Sequence, residues 1–405
     1  MRGDHPLDKG DRTKPMKILY VGKLYLYDVF GKEKFGEDSP ASRRRILGLI
    51  NGFREQGVMI DVLSPLISSP KPKIYTRAIS ARYQGSEIVY PGILNIKYLN
   101  YFSLLFATLF NMWEMHARNR YDAIVFYNPV LYRGYPSIIL GKMKKIPVIM
   151  DYEDLVDSEY TPQKWARGLF GIIERHIVGQ VKSFILASGN FQRLLPKKAR
   201  SIVVRSGCYK AKNGEDQTSR EPVDKDIILF SGKLDEIRGV DLLIEAANHI
   251  KSNNYQIVIT SKGPLEEYVK EAARRNKNVI YTGFLSESEY KRVINRATIL
   301  VNAQKTKYKF SRYCFPSKLY EYMATGKYVI STAVSDVKDG LQDKLFVLDK
   351  DDPECLAAMI DHILQNKEKL SYLPRLAQKY VNDYENWGQQ AKKIIEFIGS
   401  RHKGI

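Results

Sequence analysis

The chain has 405 residues, of which 44% are hydrophobic and 27% charged, the composition of a globular protein with room for two domains. Residues 1–15 are polar and no apolar run is long enough to span a bilayer, so we expect a disordered extension, no secretory signal and no transmembrane helix. The three cysteines, Cys208, Cys314 and Cys355, are too few and too far apart for a disulfide framework or a zinc site, which fits a reducing cytosol.

Positive charge is concentrated in the first half of the chain. The net charge is +19, and residues 1–205 contain 32 Lys and Arg against 18 Asp and Glu. This excess favours an anionic partner: nucleic acid, an anionic membrane face or a phosphorylated substrate. Solubility alone is the alternative explanation.

Apolar runs and helical repeats alternate through residues 16–205. The run Lys17–Gly22 ends in glycine, and a helix over Ser42–Gln56 and a strand over Val58–Leu63 follow it. This order predicts a parallel, right-handed βαβ unit, and a further helix is predicted near 134–145. Further strands are predicted at Ala123–Phe126, Pro147–Met150, Ser183–Ala187 and Ser201–Val204.

A second series begins after a polar linker at 209–225. Its first strand is Ile227–Gly232, and a helix is predicted over Asp241–Ile250. Further strands are predicted at Gln256–Thr260, Val279–Tyr281, Thr298–Val301 and Tyr328–Ser331. We therefore predict two consecutive doubly wound α/β domains, with ligands bound where the carboxyl ends of their strands face each other. No G-x-G-x-x-G turn follows the first strand of either half and no P-loop occurs, which disfavours a dinucleotide oxidoreductase and a P-loop NTPase.

The loop after the first strand of the second series carries two cations. Gly232 lets the backbone approach a ligand closely, and Lys233 and Arg238 follow it, five residues apart. Paired cations can neutralise a diphosphate, most of all when it gains charge as a leaving group. A solvated basic loop is the alternative.

Three more stretches of the second half lie after strands or at the start of helices. Two of them are the turns Lys262-Gly263-Pro264 and Gly283-Phe284-Leu285. In the third, Pro316 suits the start of a helix, whose free N–H groups favour phosphate oxygens. Glu321 lies about one turn further on, where its carboxylate could accept hydrogen bonds from ribose hydroxyls.

These blocks, in this order, resemble the donor domain of the retaining glycosyltransferases of family 4. The resemblance is carried by SGKLDEIRGVDLLIEA, SKGPLEE, YTGFLSESEY and FPSKLYEYMATGKYVIST, within residues 227–335. It implies the GT-B fold, an α/β architecture of two Rossmann-like, doubly wound parallel-sheet domains facing an interdomain cleft. It also implies a nucleotide-diphosphate sugar, such as a UDP- or GDP-sugar, as the substrate, with no cofactor and no metal.

The resemblance assigns roles to particular residues. The family holds the pyrophosphate with an arginine and a lysine, and here Lys233 and Arg238 take those places with the identities swapped. Glu321 matches a ribose-binding glutamate, whereas Tyr313 stands where the family has the glutamate that touches the transferred sugar. The donor-binding residues implied are Gly232, Lys262, Gly263, Pro264, Gly283, Phe284, Leu285, Tyr313, Ser317, Lys318, Leu319 and Glu321.

The first half carries acidic residues after a strand where an acceptor is expected. Asp151, Glu153 and Asp154 are followed by Asp157 and Glu159. We expect one of the first three to orient or deprotonate the acceptor hydroxyl, and so count them with Lys233 and Arg238 as catalytic candidates. Helix capping in a solvated acidic loop is the alternative.

Two further residues are assigned to the acceptor side, Asn128 and Arg43. Asn128 lies after the strand where family members often carry a histidine. The stretch Tyr98–Trp113 is apolar and aromatic at both ends, but too short to span a bilayer. We expect a helix of the core there, and insertion into a membrane surface is the alternative.

We therefore predict an acceptor domain (16–205), a donor domain (206–380) and a last helix, Tyr384–Ile398, that returns to the first domain. The expected activity is retaining transfer of a sugar to a glycan or lipid-linked acceptor in polysaccharide or glycoconjugate biosynthesis, in the cytoplasm or at the inner membrane face. A sugar-nucleotide epimerase of the same fold is the main alternative. A nucleic-acid-binding protein would explain the charge but not the donor motifs, so no nucleic acid is expected.

Overall fold

The computed structural model describes residues 15–30, 40–66, 74–96, 99–155, 164–209 and 225–400. The linker expected at 209–225 and the extension expected at 1–15 lie almost wholly outside these ranges. The strands of the first domain are β1 (Lys17–Val21), β2 (Met59–Leu63), β3 (Tyr75–Thr76), β4 (Ile79–Tyr83), β5 (Ser86–Tyr90), β6 (Ile93–Leu94), β7 (Ala123–Tyr127), β8 (Val148–Tyr152), β9 (Ser183–Leu186) and β10 (Arg200–Val203). Its helices are α1 (Tyr27–Phe30), α2 (Pro40–Glu55), α3 (Leu99–Asn119), α4 (Leu131–Lys144) and α5 (Lys164–Gln180), with a 3₁₀ turn at Gly189–Leu194.

The main sheet of the first domain has the order β10-β9-β8-β7-β1-β2-β5-β4. All neighbouring strands are parallel except β4 and β5, which form an antiparallel hairpin at the edge. That hairpin was not predicted. Its turn is Gln84-Gly85, with φ of 48° and 88°, the left-handed backbone that a two-residue hairpin turn requires.

The second domain is a smaller parallel sheet flanked by helices. Its strands are β11 (Asp226–Ser231), β12 (Tyr255–Thr260), β13 (Val279–Gly283), β14 (Ile299–Asn302), β15 (Tyr328–Thr332) and β16 (Phe346–Leu348), in the order β13-β12-β11-β14-β15-β16. Its helices are α6 (Val240–Ala246), α7 (Glu266–Arg275), α8 (Glu287–Arg296), α9 (Lys309–Tyr313), α10 (Lys318–Ala324), α11 (Val337–Leu341), α12 (Pro353–Gln365), α13 (Lys367–Leu370) and α14 (Tyr372–Tyr384). Every predicted strand is therefore present. The helix predicted to end at Ile250 is α6, which ends four residues earlier, at Ala246.

Each face of the first sheet is covered by its own helices. On one face α2 packs with the last helix, α15 (Trp387–Gly399), around Ile46, Phe53 and Ala391. On the other, α3, α4 and α5 cover a core that contains Met112, Ile138 and Ile177. The two layers follow from right-handed crossovers that run in opposite directions from β1.

The last helix begins three residues later than the sequence suggested. Tyr384 ends α14, and the side chain of Asn386 caps α15 by accepting a hydrogen bond from the N–H of Gln389 at 3.1 Å. Trp387 then packs onto α2 at Gly48, where a Cβ would lie 2.1 Å from the indole. Only glycine permits that contact, which ties the end of the chain to the first domain.

Candidate functional site

Three cations of two domains converge near the carboxyl end of β11. The ammonium group of Lys318 donates hydrogen bonds to Ser231, at 2.7 Å to its carbonyl oxygen and 2.8 Å to Oγ. Burial, and after it the positive charges of Arg44 and Arg238, together lower the pKa of Lys318 to about 8 against the opposing effect of Glu321. A lysine with a depressed pKa between two arginines marks a place where an anion would be bound favourably.

Arg238 is held in a fixed position, and Lys233 is exposed. The backbone N–H of Arg238 donates to Oδ1 of Asp235 at 2.8 Å, and its guanidinium is hydrogen-bonded to buried Gln304. The guanidinium also lies 4.9 Å from the ring centre of Phe310. Lys233 lies 3.8 Å from Asp235 with 55% of its side chain exposed. The two predicted diphosphate ligands therefore lie on one loop, one anchored and one at its surface.

The turn Lys262-Gly263-Pro264 supports that loop. Leu234 donates its N–H to the carbonyl oxygen of Lys262 at 3.1 Å. A Cβ on Gly263 would lie 2.3 Å from the carbonyl oxygen of Leu234, so only glycine allows the two turns to meet. Gly232 is different, because the nearest atom to a Cβ there would be 3.6 Å away, in the ring of Phe230.

Glu321 faces the first domain across the cleft. Its carboxylate accepts a hydrogen bond from the guanidinium of Arg44 at 2.8 Å, and 41% and 36% of the arginine and glutamate side chains are exposed. The sequence placed Arg43 on the acceptor side. It is the next residue, Arg44, that reaches across to the predicted ribose ligand, while Arg43 is half-buried. Adjacent residues of a helix project about 100° apart, and only the packing of α2 against the second domain shows which of the two reaches Glu321.

The acidic strand end of the first domain is built around a buried arginine. Arg45 donates to both carboxylate oxygens of Asp151, at 2.7 and 2.8 Å, and Tyr20 donates to the same carboxylate at 2.6 Å. Burial opposes the charge of Arg45, but Asp151 and Glu153 outweigh it and hold the pKa of the guanidinium well above its usual value. Asp151 is fully buried, so its carboxylate is a structural counter-charge and does not face the cleft.

Glu153 and Asp154 follow with different surroundings. Glu153 lies 2.9 Å from Arg45, and burial together with the charges of Asp151 and Asp154 raises its pKa well above the usual range. Asp154 is partly exposed and accepts hydrogen bonds from Asn128 at 3.2 Å and Tyr127 at 3.3 Å. Of the three acidic candidates, Asp154 has the position of a residue that could meet an acceptor. Asp157 and Glu159 lie outside the described residues.

Asn128 holds this strand end in place. Its φ is 56°, a left-handed conformation that asparagine tolerates. Its side-chain oxygen accepts the backbone N–H groups of Glu153 at 2.8 Å and Asp154 at 3.0 Å. The residue predicted on the acceptor side therefore positions the acidic candidates.

A segment of the second domain packs into the core of the first. The carbonyl oxygen of Tyr313 accepts a hydrogen bond from Ser188 at 2.6 Å, and its ring lies 5.6 Å from that of Phe191. Cys314 is buried there, and its pKa is raised by burial and by the charge of Asp154, with Arg238 acting in the opposite direction. Arg238 and Asp154 therefore both lie near Cys314, on opposite sides of the cleft. Tyr313 directs its ring into this contact between domains.

The remaining predicted donor residues lie at the end of β13 and around the start of α10. Gly283 has φ of 72° at the end of β13, and the next residue, Phe284, is 72% exposed beside half-buried Leu285. Ser317 precedes α10, whereas Leu319 is buried and donates its N–H to the carbonyl oxygen of Pro316 at 2.9 Å. The N–H of Leu319 is thus already engaged, which argues against its predicted contact with a phosphate.

Some residues of the site gave no signal in the sequence. Arg44 and Gln304 acquire their places only when the two domains and two distant loops meet. Arg205 likewise pairs with Asp336 of the second domain at 2.7 Å. Among the residues that the structure describes, no three His, Cys, Asp or Glu side chains are arranged to hold a metal ion.

Residues 225–366 match the family described as "Glycosyl transferases group 1". No protein of curated function matches the chain by sequence. Sucrose-phosphate synthase from Thermosynechococcus elongatus shares the fold with a TM-score of 0.72 and 17% identity, over 96% of this chain and all of that one. A glycosyltransferase from Rickettsia africae has a TM-score of 0.68 and 14% identity, over 96% of this chain and 100% of that chain. HepE from Anabaena, solved in complex with UDP, has a TM-score of 0.66 and 13% identity, over 95% of this chain and 100% of that chain.

These likenesses span both domains and confirm the predicted GT-B fold: two parallel α/β sheets whose strand ends face a cleft. The family match covers most of the second domain, which supplies two of the three converging cations, Arg238 and Lys318. Together they support sugar transfer as the chemistry of the site.

Proposed function

We propose that this protein is a retaining glycosyltransferase that moves a hexose from a nucleotide-diphosphate donor to a glycan or lipid-linked acceptor without a metal ion. The observation that carries the proposal is the convergence of Lys318, Arg238 and Arg44, with Glu321 as their nearby anion. These cations lie in or beside the region that matches the group 1 family. The diphosphate of a bound donor would neutralise the excess positive charge of these three side chains.

The donor would lie along the carboxyl ends of the second sheet. Lys318 and Arg238 would contact the diphosphate, and Glu321 would exchange Arg44 for the ribose hydroxyls. Phe284 is exposed at the end of β13, where its ring is available to stack on a base. HepE, which shares the fold, was solved with UDP-glucose as well as UDP, which favours a nucleotide sugar here.

Chemistry would depend on charge stabilisation more than on proton transfer. As the glycosidic bond breaks, negative charge builds on the departing diphosphate, and Arg238 and Lys233 would stabilise it in the role that a metal takes elsewhere. On the opposite side, Asp154 would orient the acceptor hydroxyl, held by Asn128. Retention would place the new bond on the same face of the sugar as the old one.

Calorimetric titration with UDP, GDP, ADP and their glucose derivatives tests the donor site. We expect one nucleotide series to bind, with affinity reduced about tenfold or more in Lys318→Gln, because a charge-assisted hydrogen bond is lost. Lys291→Gln, on the exposed face of α8, is the matched control and should bind as the wild type does. Equal affinity in Lys318→Gln and the wild type would contradict the proposed donor site. The anomeric configuration of the product, read by NMR, tests retention separately.

We also propose a cytoplasmic location at the inner face of a membrane. The cysteines are free thiols, with Cys208 and Cys314 buried and Cys355 exposed, as a reducing compartment permits. A growing glycan on a lipid carrier would account for the basic first domain.

A further inference from the structure

Helix α3 exposes a row of aromatic side chains. Phe102, Phe106, Phe110 and Trp113 are 59%, 66%, 68% and 41% exposed. Their spacing places them within an arc of about 80° along about 16 Å of helix. At ~200 Å² for each side chain, they present roughly 450 Å² of aromatic surface to solvent. The stretch expected to be a core helix therefore buries only its opposite side, which includes Leu104 and Met112.

The neighbouring helices extend this surface. α3 packs on α4 and α4 on α5, and all three cover the same face of the sheet. Exposed apolar residues of α4 are Ile139 and Met143, and those of α5 are Leu169 and Ile172. We name these eight side chains the aromatic face. An apolar patch of this size on a protein surface marks a contact with a partner or a membrane.

The charges around the aromatic face are almost all positive. Between residues 99 and 122, 131 and 145, and 168 and 182, the exposed anions are Glu114 and Asp122. The exposed cations there are Arg118, Arg120, Lys142, Lys144, Lys145, Arg175 and Lys182. Lys144 lies 3.9 Å from the ring centre of Trp113, so the aromatic row ends directly beside a cation. Tryptophan next to lysine is typical of residues at the level of lipid headgroups.

We propose that the aromatic face docks on the surface of an anionic bilayer. Within the described ranges, no helix is long and apolar enough to cross a membrane, so the contact would be in the plane of the interface, with the rings among the acyl chains and the lysines at the headgroups. A second copy of the chain fits less well, because a two-fold contact through this face would bring two sets of seven cations together.

The orientation of α3 links this surface to the cleft. The helix starts at Leu99 after the carboxyl end of β5 and ends at Asn119, before the amino end of β7. Phe102 is thus near the edge of the sheet where the candidate site lies, and Trp113 is towards the opposite edge. Docking would hold the cleft beside the bilayer, but the docking inference does not depend on the sugar-transfer proposal.

Co-sedimentation with vesicles tests the surface. We expect the full chain to bind vesicles of phosphatidylglycerol and phosphatidylcholine in equal parts much more tightly than vesicles of phosphatidylcholine alone, with binding weakened by salt. The double variant Phe106→Gln, Phe110→Gln should lower the partition coefficient about tenfold or more, because two apolar side chains no longer insert. Lys142→Gln and Lys144→Gln should each lower it about fivefold.

The matched control is Tyr372→Gln with Leu376→Gln, two exposed apolar residues one turn apart on α14 of the second domain, which should bind vesicles as the wild type does. Nucleotide affinity in solution should be unchanged in all these variants, so loss of docking is separable from loss of the donor site. The inference is overturned if the wild type does not bind anionic vesicles, or if the Phe106 and Phe110 variant binds them equally. It is also overturned if ultracentrifugation shows a dimer that this variant abolishes, since a second copy then covers the face.

Discussion

Raising the pH should weaken nucleotide binding through one residue, Lys318. Its pKa is lowered to about 8 by burial and by two neighbouring arginines. A bound diphosphate would favour the charged form and raise that pKa, so the ligand binds the protonated protein. Affinity is therefore close to its maximum at pH 7 and below, and is lost as the pH rises through about 8. The protonated fraction falls from about nine-tenths at pH 7 to about one-tenth at pH 9, which predicts a tenfold loss of affinity.

Calorimetry in buffers of different ionisation enthalpy measures both the proton uptake on binding and the pH dependence of the dissociation constant. At pH 8, binding should take up about half a proton, and the dissociation constant should rise about tenfold between pH 7 and pH 9. Lys318→Gln binds more weakly and should lose this pH dependence, which separates the lysine from titration of the nucleotide. A wild-type affinity that does not change over this range, or the same pH dependence in the variant, would show that Lys318 does not bind the nucleotide.

Four further outcomes are expected. Asp151→Asn should destabilise the fold by about 3 kcal/mol in urea denaturation, because buried Arg45 would lose its bidentate partner and keep only Glu153 as a counter-charge, and a loss below about 1 kcal/mol would show that the pair is not structural. Glu321→Ala should weaken nucleotide binding in calorimetry with unchanged circular dichroism, and an unchanged affinity would remove Glu321 from the site. Transfer should survive EDTA, whereas loss restored by magnesium or manganese would show a metal-dependent reaction. Lys233→Ala and Arg238→Ala should each lower kcat by roughly a hundredfold and the donor KM much less, and a rise in KM alone would limit the pair to anchoring.

Sequence patterns predicted the two sheets because buried parallel strands are local, continuous apolar runs. Lys17–Val21 and Asp226–Ser231 show this, since each ends at a polar loop or a glycine where a ligand is expected. The hairpin β4–β5 was missed because Ile79–Tyr83 alternates half-buried and exposed residues at an edge and has no apolar run. The sequence also did not predict that the aromatic side of α3 is exposed, because an aromatic-rich helix has the same pattern whether that side faces a core or solvent.

The site was predictable on the donor side and less so on the acceptor side. Lys318 and Glu321 lie on one short helix, so their spacing alone places them together. Asp151 could not be separated from Asp154 in this way, because its burial depends on Arg45, more than a hundred residues earlier. The packing of Tyr313 on Phe191 likewise depends on how the domains meet, which no local pattern records.

Release of nucleoside diphosphate from UDP-, GDP- and ADP-linked sugars is the direct test of sugar transfer by this protein. The chromatographic assay follows each donor with the wild type and with Arg238→Ala. We expect the wild type to release nucleoside diphosphate from one donor series as the sugar is transferred to water or to an added glycan, and Arg238→Ala to do so about a hundredfold more slowly. Cleavage of none of these donors, equal rates in both proteins, or an isomerised nucleotide sugar as the sole product would contradict it.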